Sequence, residues 1–160
     1  MYNSSTMKKY LLIAFISLAM IATSCVSTRN TIKNIDDNAL MPALNKDKNF
    51  IITETSNSRK YAYDQDYPVN LGFLPVTAAE INVKRFFGAL AGPEGQALVY
   101  KKVDSCCPFP SRKNEMGAGI LDIYEVTWNG LSTPKKIYIN LYEKGKVLAP
   151  QGLSIKPITP

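Results

Sequence analysis

Residues 117–142, GAGILDIYEVTWNGLSTPKKIYINLY, constrain the fold more than any other stretch. Two runs rich in β-branched and aromatic residues flank a polar connection, the sequence pattern of an antiparallel hairpin. Over 120–128 alternate side chains fall into two sets, Ile120, Asp122, Tyr124, Val126 and Trp128 against Leu121, Ile123, Glu125 and Thr127. Successive side chains of a strand point to opposite faces, so neither face of this one is purely apolar. Over 136–142 the division is cleaner, with Ile137, Ile139 and Leu141 opposed to Tyr138, Asn140 and Tyr142. Asn129-Gly130 tolerates positive φ and Pro134 closes the connection, which predicts a bulged or open loop longer than a two-residue turn.

One helix is predicted, over 77–91. Thr77-Ala78-Ala79-Glu80 has the form of a capping box, in which hydroxyl and carboxylate satisfy the orphan amides of the first turn. Ile81, Val83, Phe86, Phe87 and Leu90 supply an apolar stripe, and Gly92-Pro93 supplies the stop. On that spacing the phenylalanines face a sheet, while Asn82, Lys84 and Arg85 face water. Further strands are expected at 50–55, 59–63, 96–104 and, briefly, 147–150. The expected architecture is α+β: a mainly antiparallel sheet of about five strands with the helix packed on one face.

At the other end, Met7-Lys8-Lys9 and the apolar run YLLIAFISLAMIATS read as a signal peptide, marginal in length for a membrane span. The run ends in Ala22-Thr23-Ser24-Cys25, a lipobox-like sequence that makes Cys25 the expected lipidation site. The organisation read from sequence is therefore a leader over 1–24, an anchor and flexible tether over 25–49, a globular domain over 50–155 and a tail over 156–160. The partner this implies is a membrane, held through acyl chains.

Charge and composition exclude several functions. There is no histidine, which removes Ser-His-Asp and Cys-His catalysis and His-ligated zinc. Two of the 19 basic residues, Lys8 and Lys9, fall in the leader, leaving 17 bases against 13 acids and a net charge of +4. The bases occur as scattered pairs without interleaved aromatics, so no nucleic acid partner is expected. Asp122 and Glu125, three apart on a strand, face opposite sides and cannot act on one bond. No pattern specifies a catalytic chemistry or a cofactor.

Three groups of residues remain as candidate sites. Tyr61, Tyr63 and Tyr67 suit either a stacking platform or ordinary half-buried packing with hydroxyls at the rim. Phe109, Arg112 and Lys113 belong to a polar stretch, 109–116, long enough for a binding loop. Ser105-Cys106-Cys107-Pro108 is the sharpest feature. Adjacent cysteines in an exported chain leave four arrangements: a bond closing a small ring, two buried thiols, a soft-metal site with Met116 as a thioether ligand, or pairing between molecules.

The runs YAYDQDYPV from Tyr61, F-x-x-x-L-x-G-P-x-G from Phe86, SCCPF from Ser105, LDIYEVTWNGL and IYINLY resemble a family of small lipoproteins of Bacteroidota across most of 61–152. The resemblance implies an anchored envelope protein and no particular activity. Some members carry the label 2-dehydro-3-deoxyphosphooctonate aldolase, the name of a barrel enzyme. A (β/α)8 barrel needs about 200 residues or more, roughly twice this domain. Surface-exposed lipoproteins of Bacteroidota often have an acidic cluster after the anchor cysteine; its absence here points to the periplasmic face of the outer membrane. The expected function is a non-catalytic envelope component that binds a protein partner, the alternative being thiol redox or soft-metal chemistry at Cys106 and Cys107.

Overall fold

A computed structural model describes residues 30–157; the leader and Cys25 lie outside the described residues. The hairpin forms: β4 (Ala118–Thr127) and β5 (Lys135–Asn140) run antiparallel, with Tyr124 opposite Ile137 and Asp122 opposite Ile139. β3 (Val99–Pro110) pairs antiparallel with the other side of β4, and β1 (Val69–Asn70) pairs parallel with β5. The order is β1-β5-β4-β3. A second, two-stranded sheet joins β2 (Leu90–Ala91) to β6 (Ser154–Ile155).

The chain is thus strands with one helix among the described residues, but its main sheet is four-stranded and mixed, where about five mainly antiparallel strands were expected. The expected strands at 50–55 and 59–63 are not ladders. Phe50 and Thr55 make isolated bridges to Leu44 and Ala149. Residues 59–63 form turns, in which Ala62 adopts φ +70° and its amide bonds back to the Tyr67 carbonyl. That turn still serves the sheet, because the Ala62 carbonyl accepts the Tyr138 amide.

Both faces of the hairpin are covered, which accounts for its mixed alternation. Tyr124, Val126, Trp128, Ile137 and Ile139 enter the main core, whereas Leu121 packs with Phe109 and Ile32 in a smaller cluster. A strand buried on two sides has no purely polar face to show.

The helix α1 (Glu80–Gly88) is shorter than expected and starts without the capping box. A 3-10 turn at Val76–Ala78 leads straight into it, Ala79 at the N-cap is already helical, and no side chain caps the end. Backbone carbonyls take the early amides instead, Ala79 to Val76 at 3.2 Å and Asn82 to Ala79 at 2.9 Å. Asn82, expected in water, is fully buried, and Ile81, expected in the stripe, is half exposed. Asn82 turns inward onto the Leu71 carbonyl beyond β1, which also accepts the Phe73 amide: its Nδ2 reaches that oxygen at 3.1 Å, and Arg85 donates to its Oδ1 at 3.1 Å. Phe87 closes the core against the sheet, stacked on Tyr100 with ring centroids 4.2 Å apart and tilted against Tyr124 at 5.6 Å.

Residues 30–49, expected within a flexible tether, lie along the domain. The Lys33 amide donates to the Asp66 carbonyl (2.8 Å) and the Asp36 amide to the Lys144 carbonyl (2.9 Å). Ile32 is buried beside Phe109. A column of asparagines fastens the segment to the sheet: Asn34 accepts from Asn70 Nδ2, and Asn70 Oδ1 accepts from Asn140 Nδ2 at 2.9 Å. The column explains why an Asn-rich polar sequence is ordered, since buried amides must find partners.

Candidate functional site

β3 is the free edge of the main sheet, and its register against β4 slips twice. Between Lys102 and Asp104, and again between Cys106 and Phe109, β3 carries one residue more than its partner. Edge strands tolerate such bulges because no second neighbour has to follow them, and Pro108 fits the second one since it has no amide to lose. Bulges commonly need one residue in the left-handed region, usually glycine; here Cys107 takes that role with φ +61°.

Cys106 and Cys107 are bonded to each other, with S–S 2.16 Å. Of the four arrangements left open by the sequence, this is the one the structure contains. Both residues are half-buried. Cys107 rests on the cluster of Ile32, Phe109 and Leu121, and its Sγ lies 3.0 Å from Gln65 Oε1. A thiol there would donate its S–H to that oxygen; a disulfide sulfur carries no hydrogen, and the two atoms then only touch. On the flank of the bulge, Asp122 accepts from Ser105 Oγ at 3.0 Å and pairs with Lys102 at 2.7 Å.

No family model, curated protein or solved structure matches this chain. The functional reading therefore rests on the geometry.

The remaining sequence candidates are dispersed. Met116 stands 88% exposed in the loop after β3, and no cluster of three metal-ligating His, Cys, Asp or Glu exists among the described residues. The tyrosines make no platform. Tyr61 is in the core, accepting the Leu148 amide at 3.1 Å, and Tyr63 donates to the Gln151 carbonyl at 2.8 Å. Tyr67 is half-buried with the ammonium groups of Lys33 and Lys60 over its ring, 5.6 and 5.5 Å from its centre. Phe109 is likewise core, edge-on to Tyr142. Arg112 and Lys113 are exposed, like Met116, and they line one wall of a cleft that Glu143 also lines. The sequence carried no sign of Glu143 or Gln65, both of which sit in segments that read as polar turns.

Burial of the phenols has a consequence for pH. Desolvation raises Tyr61 above the ordinary phenol range and pushes Tyr63 and Tyr124 up to about 12. An acid group whose folded pKa lies above its unfolded value of about 10 adds stability that is complete below pH about 10 and lost as pH rises towards the folded value. The urea midpoint should hold level up to pH about 10 and fall between about 10 and 12, with a shallower fall in Tyr61→Phe. An equally steep fall in that variant would rule Tyr61 out as a source.

Proposed function

We propose that this chain is a lipid-anchored envelope protein, of the type its motifs resemble, whose working element is the Cys106–Cys107 disulfide, exchanging electrons with a dithiol partner. The single observation that carries this reading is the position of the bond: half-buried and outside the cores, in a bulge of the free edge strand. A bond between neighbours in sequence closes almost no chain, so by loop entropy it contributes only about 1 kcal/mol to stability. Structural need therefore does not account for it. The other reading, a purely binding component, loses the aromatic surface it called for, since Tyr61 and Phe109 are in the cores.

The chemistry is two-electron exchange. One thiolate of the partner dithiol attacks a protein sulfur, forming a mixed disulfide and releasing the other cysteine as a thiolate. The partner's second thiolate then attacks the mixed disulfide, so that the partner leaves oxidised and Cys106 and Cys107 leave as two thiols after protonation. In that reduced state Gln65 Oε1 stands ready to accept the Cys107 S–H. Neither step needs a histidine, a metal or a cofactor.

Intact-mass spectrometry of the protein isolated from its envelope under non-reducing conditions tests the whole reading. The expected species begins at an acylated Cys25, is two mass units below its dithiol form, and takes up two alkyl labels after about 1 mM of a dithiol without denaturant. Unmodified Cys25 would sink the anchor. Thiols that label only after denaturation would sink the redox element.

A further inference from the structure

Beside the disulfide, and independent of its chemistry, an open cleft of about 550 Å3 separates the N-terminal segment from the loop after β3. Its walls are tied together by an ion pair, Lys113 Nζ to Asp37 Oδ1 at 2.9 Å. Asp37 holds the Lys113 ammonium above its ordinary pKa, with a smaller contribution from Glu143. That pair uses up one charge of each sign and leaves two others, Glu143 and Arg112, without an ion pair among the described residues.

Glu143 is only 5% exposed, yet among the described residues its carboxylate is hydrogen-bonded only to a neutral partner, the Ser111 hydroxyl, which donates at 2.6 Å. A buried carboxylate whose neighbouring ammonium, Lys113, is bonded to another acid is only partly compensated, and it relaxes by rotating to water where the backbone allows. Here the backbone is pinned: the Glu143 amide donates to Asn140 Oδ1 (3.2 Å) and its carbonyl accepts the Gly72 amide (2.9 Å). Arg112 is the complementary case, an exposed guanidinium on the wall with no acceptor among the described residues. Ile35 adds an apolar surface to the lining.

We infer that this cleft binds a small zwitterion, its ammonium on the Glu143 carboxylate and its phosphate or carboxylate on the Arg112 guanidinium. One ligand carrying both charges satisfies both groups and leaves the cleft neutral, whereas a simple cation or anion satisfies one. Such a molecule exists as a free amino acid and as the ethanolamine phosphate headgroup of a lipid, and the test separates the two.

Calorimetric titrations of the full chain in detergent would use O-phosphoethanolamine and β-alanine, with ethanolamine and inorganic phosphate as single-charge controls. At least one zwitterion should saturate with a Kd below about 1 mM and bind at least about tenfold tighter than either control. Saturation by O-phosphoethanolamine alone supports the site with headgroup chemistry; saturation by β-alanine alone supports it with an amino acid. Glu143→Gln keeps the Ser111 bond, removes the charge, and should weaken the zwitterion by about tenfold or more. Arg112→Gln should do the same, and because Arg112 is exposed it carries the test if the Glu143 variant fails to fold. No saturation at about 10 mM, or full affinity in Arg112→Gln, overturns the inference.

Discussion

Replacing Phe87 with alanine is expected to cost about 3–5 kcal/mol, a large part of the roughly 5–15 kcal/mol by which a domain of this kind is stable. Phe87 is 2% exposed and touches three other rings, Phe86 at 5.3 Å, Tyr100 at 4.2 Å and Tyr124 at 5.6 Å between centroids. Such pairs add about 0.5–1.5 kcal/mol to what burial alone supplies. The hole left behind cannot close easily, because its walls belong to α1, β3 and β4 and the sheet holds two of them apart. Ile81→Ala is the internal control: it belongs to the same apolar stripe in sequence but is half exposed, and should cost under about 1 kcal/mol. Urea unfolding of the two variants decides the matter. Equal losses would mean that the helix is rotated from the orientation described.

Asn140→Leu should be comparably damaging, at about 3–5 kcal/mol, although it makes a buried position more apolar. Asn140 is fully buried at the end of β5; its Nδ2 donates to Asn70 Oδ1, and its Oδ1 accepts the amides of Tyr142 (2.9 Å) and Glu143 (3.2 Å). Leucine has nearly the right volume and none of these bonds, so Asn70 and two backbone amides would be stranded at about 1–3 kcal/mol each, with incomplete additivity. A local effect should accompany the global one. The column Asn140–Asn70–Asn34 holds residues 30–37 against the sheet, so the Lys33 and Asp36 amides should exchange with solvent faster in the variant. Unchanged exchange there, with stability lost, would show that the segment is held by Ile32 and its neighbours instead.

Particular elements show what could be read without the structure. The β4–β5 hairpin was legible because residues 120–128 and 136–142 carry their own β propensity and alternation. The helix was legible through its phenylalanines, but its start was not. A capping box competes with backbone partners, and a 3-10 turn entering directly from Pro75 supplies those partners first. Asn82 and Ile81 exchanged places for a similar reason: a side-chain bond to the Leu71 carbonyl, brought close only by the fold, outweighs the propensity of one residue to face water. Tyr61 and Tyr63 read as strand residues because two-residue spacing does not distinguish a strand from a run of turns with a positive φ at Ala62.

The sequence by itself determined the hairpin, the presence of the helix and the burial of its phenylalanines, the two adjacent cysteines as the chemically distinctive spot, and the absence of histidine chemistry. These are properties of neighbours in the chain, where propensity, period and composition act directly. Tertiary structure decided the parallel docking of Val69–Asn70 on β5, the anchoring of residues 30–49, the bulge that displays the disulfide, and the meeting of Ser111, Arg112 and Glu143 at one cleft. All but the bulge depend on satisfying backbone and side-chain polar groups between segments more than 30 residues apart, as in the bonds of Asn70 to Asn34 and Asn140 and of Ser111 to Glu143. Local pattern contains no record of such partners, because a buried amide or carboxylate is stable only where the fold brings its counterpart.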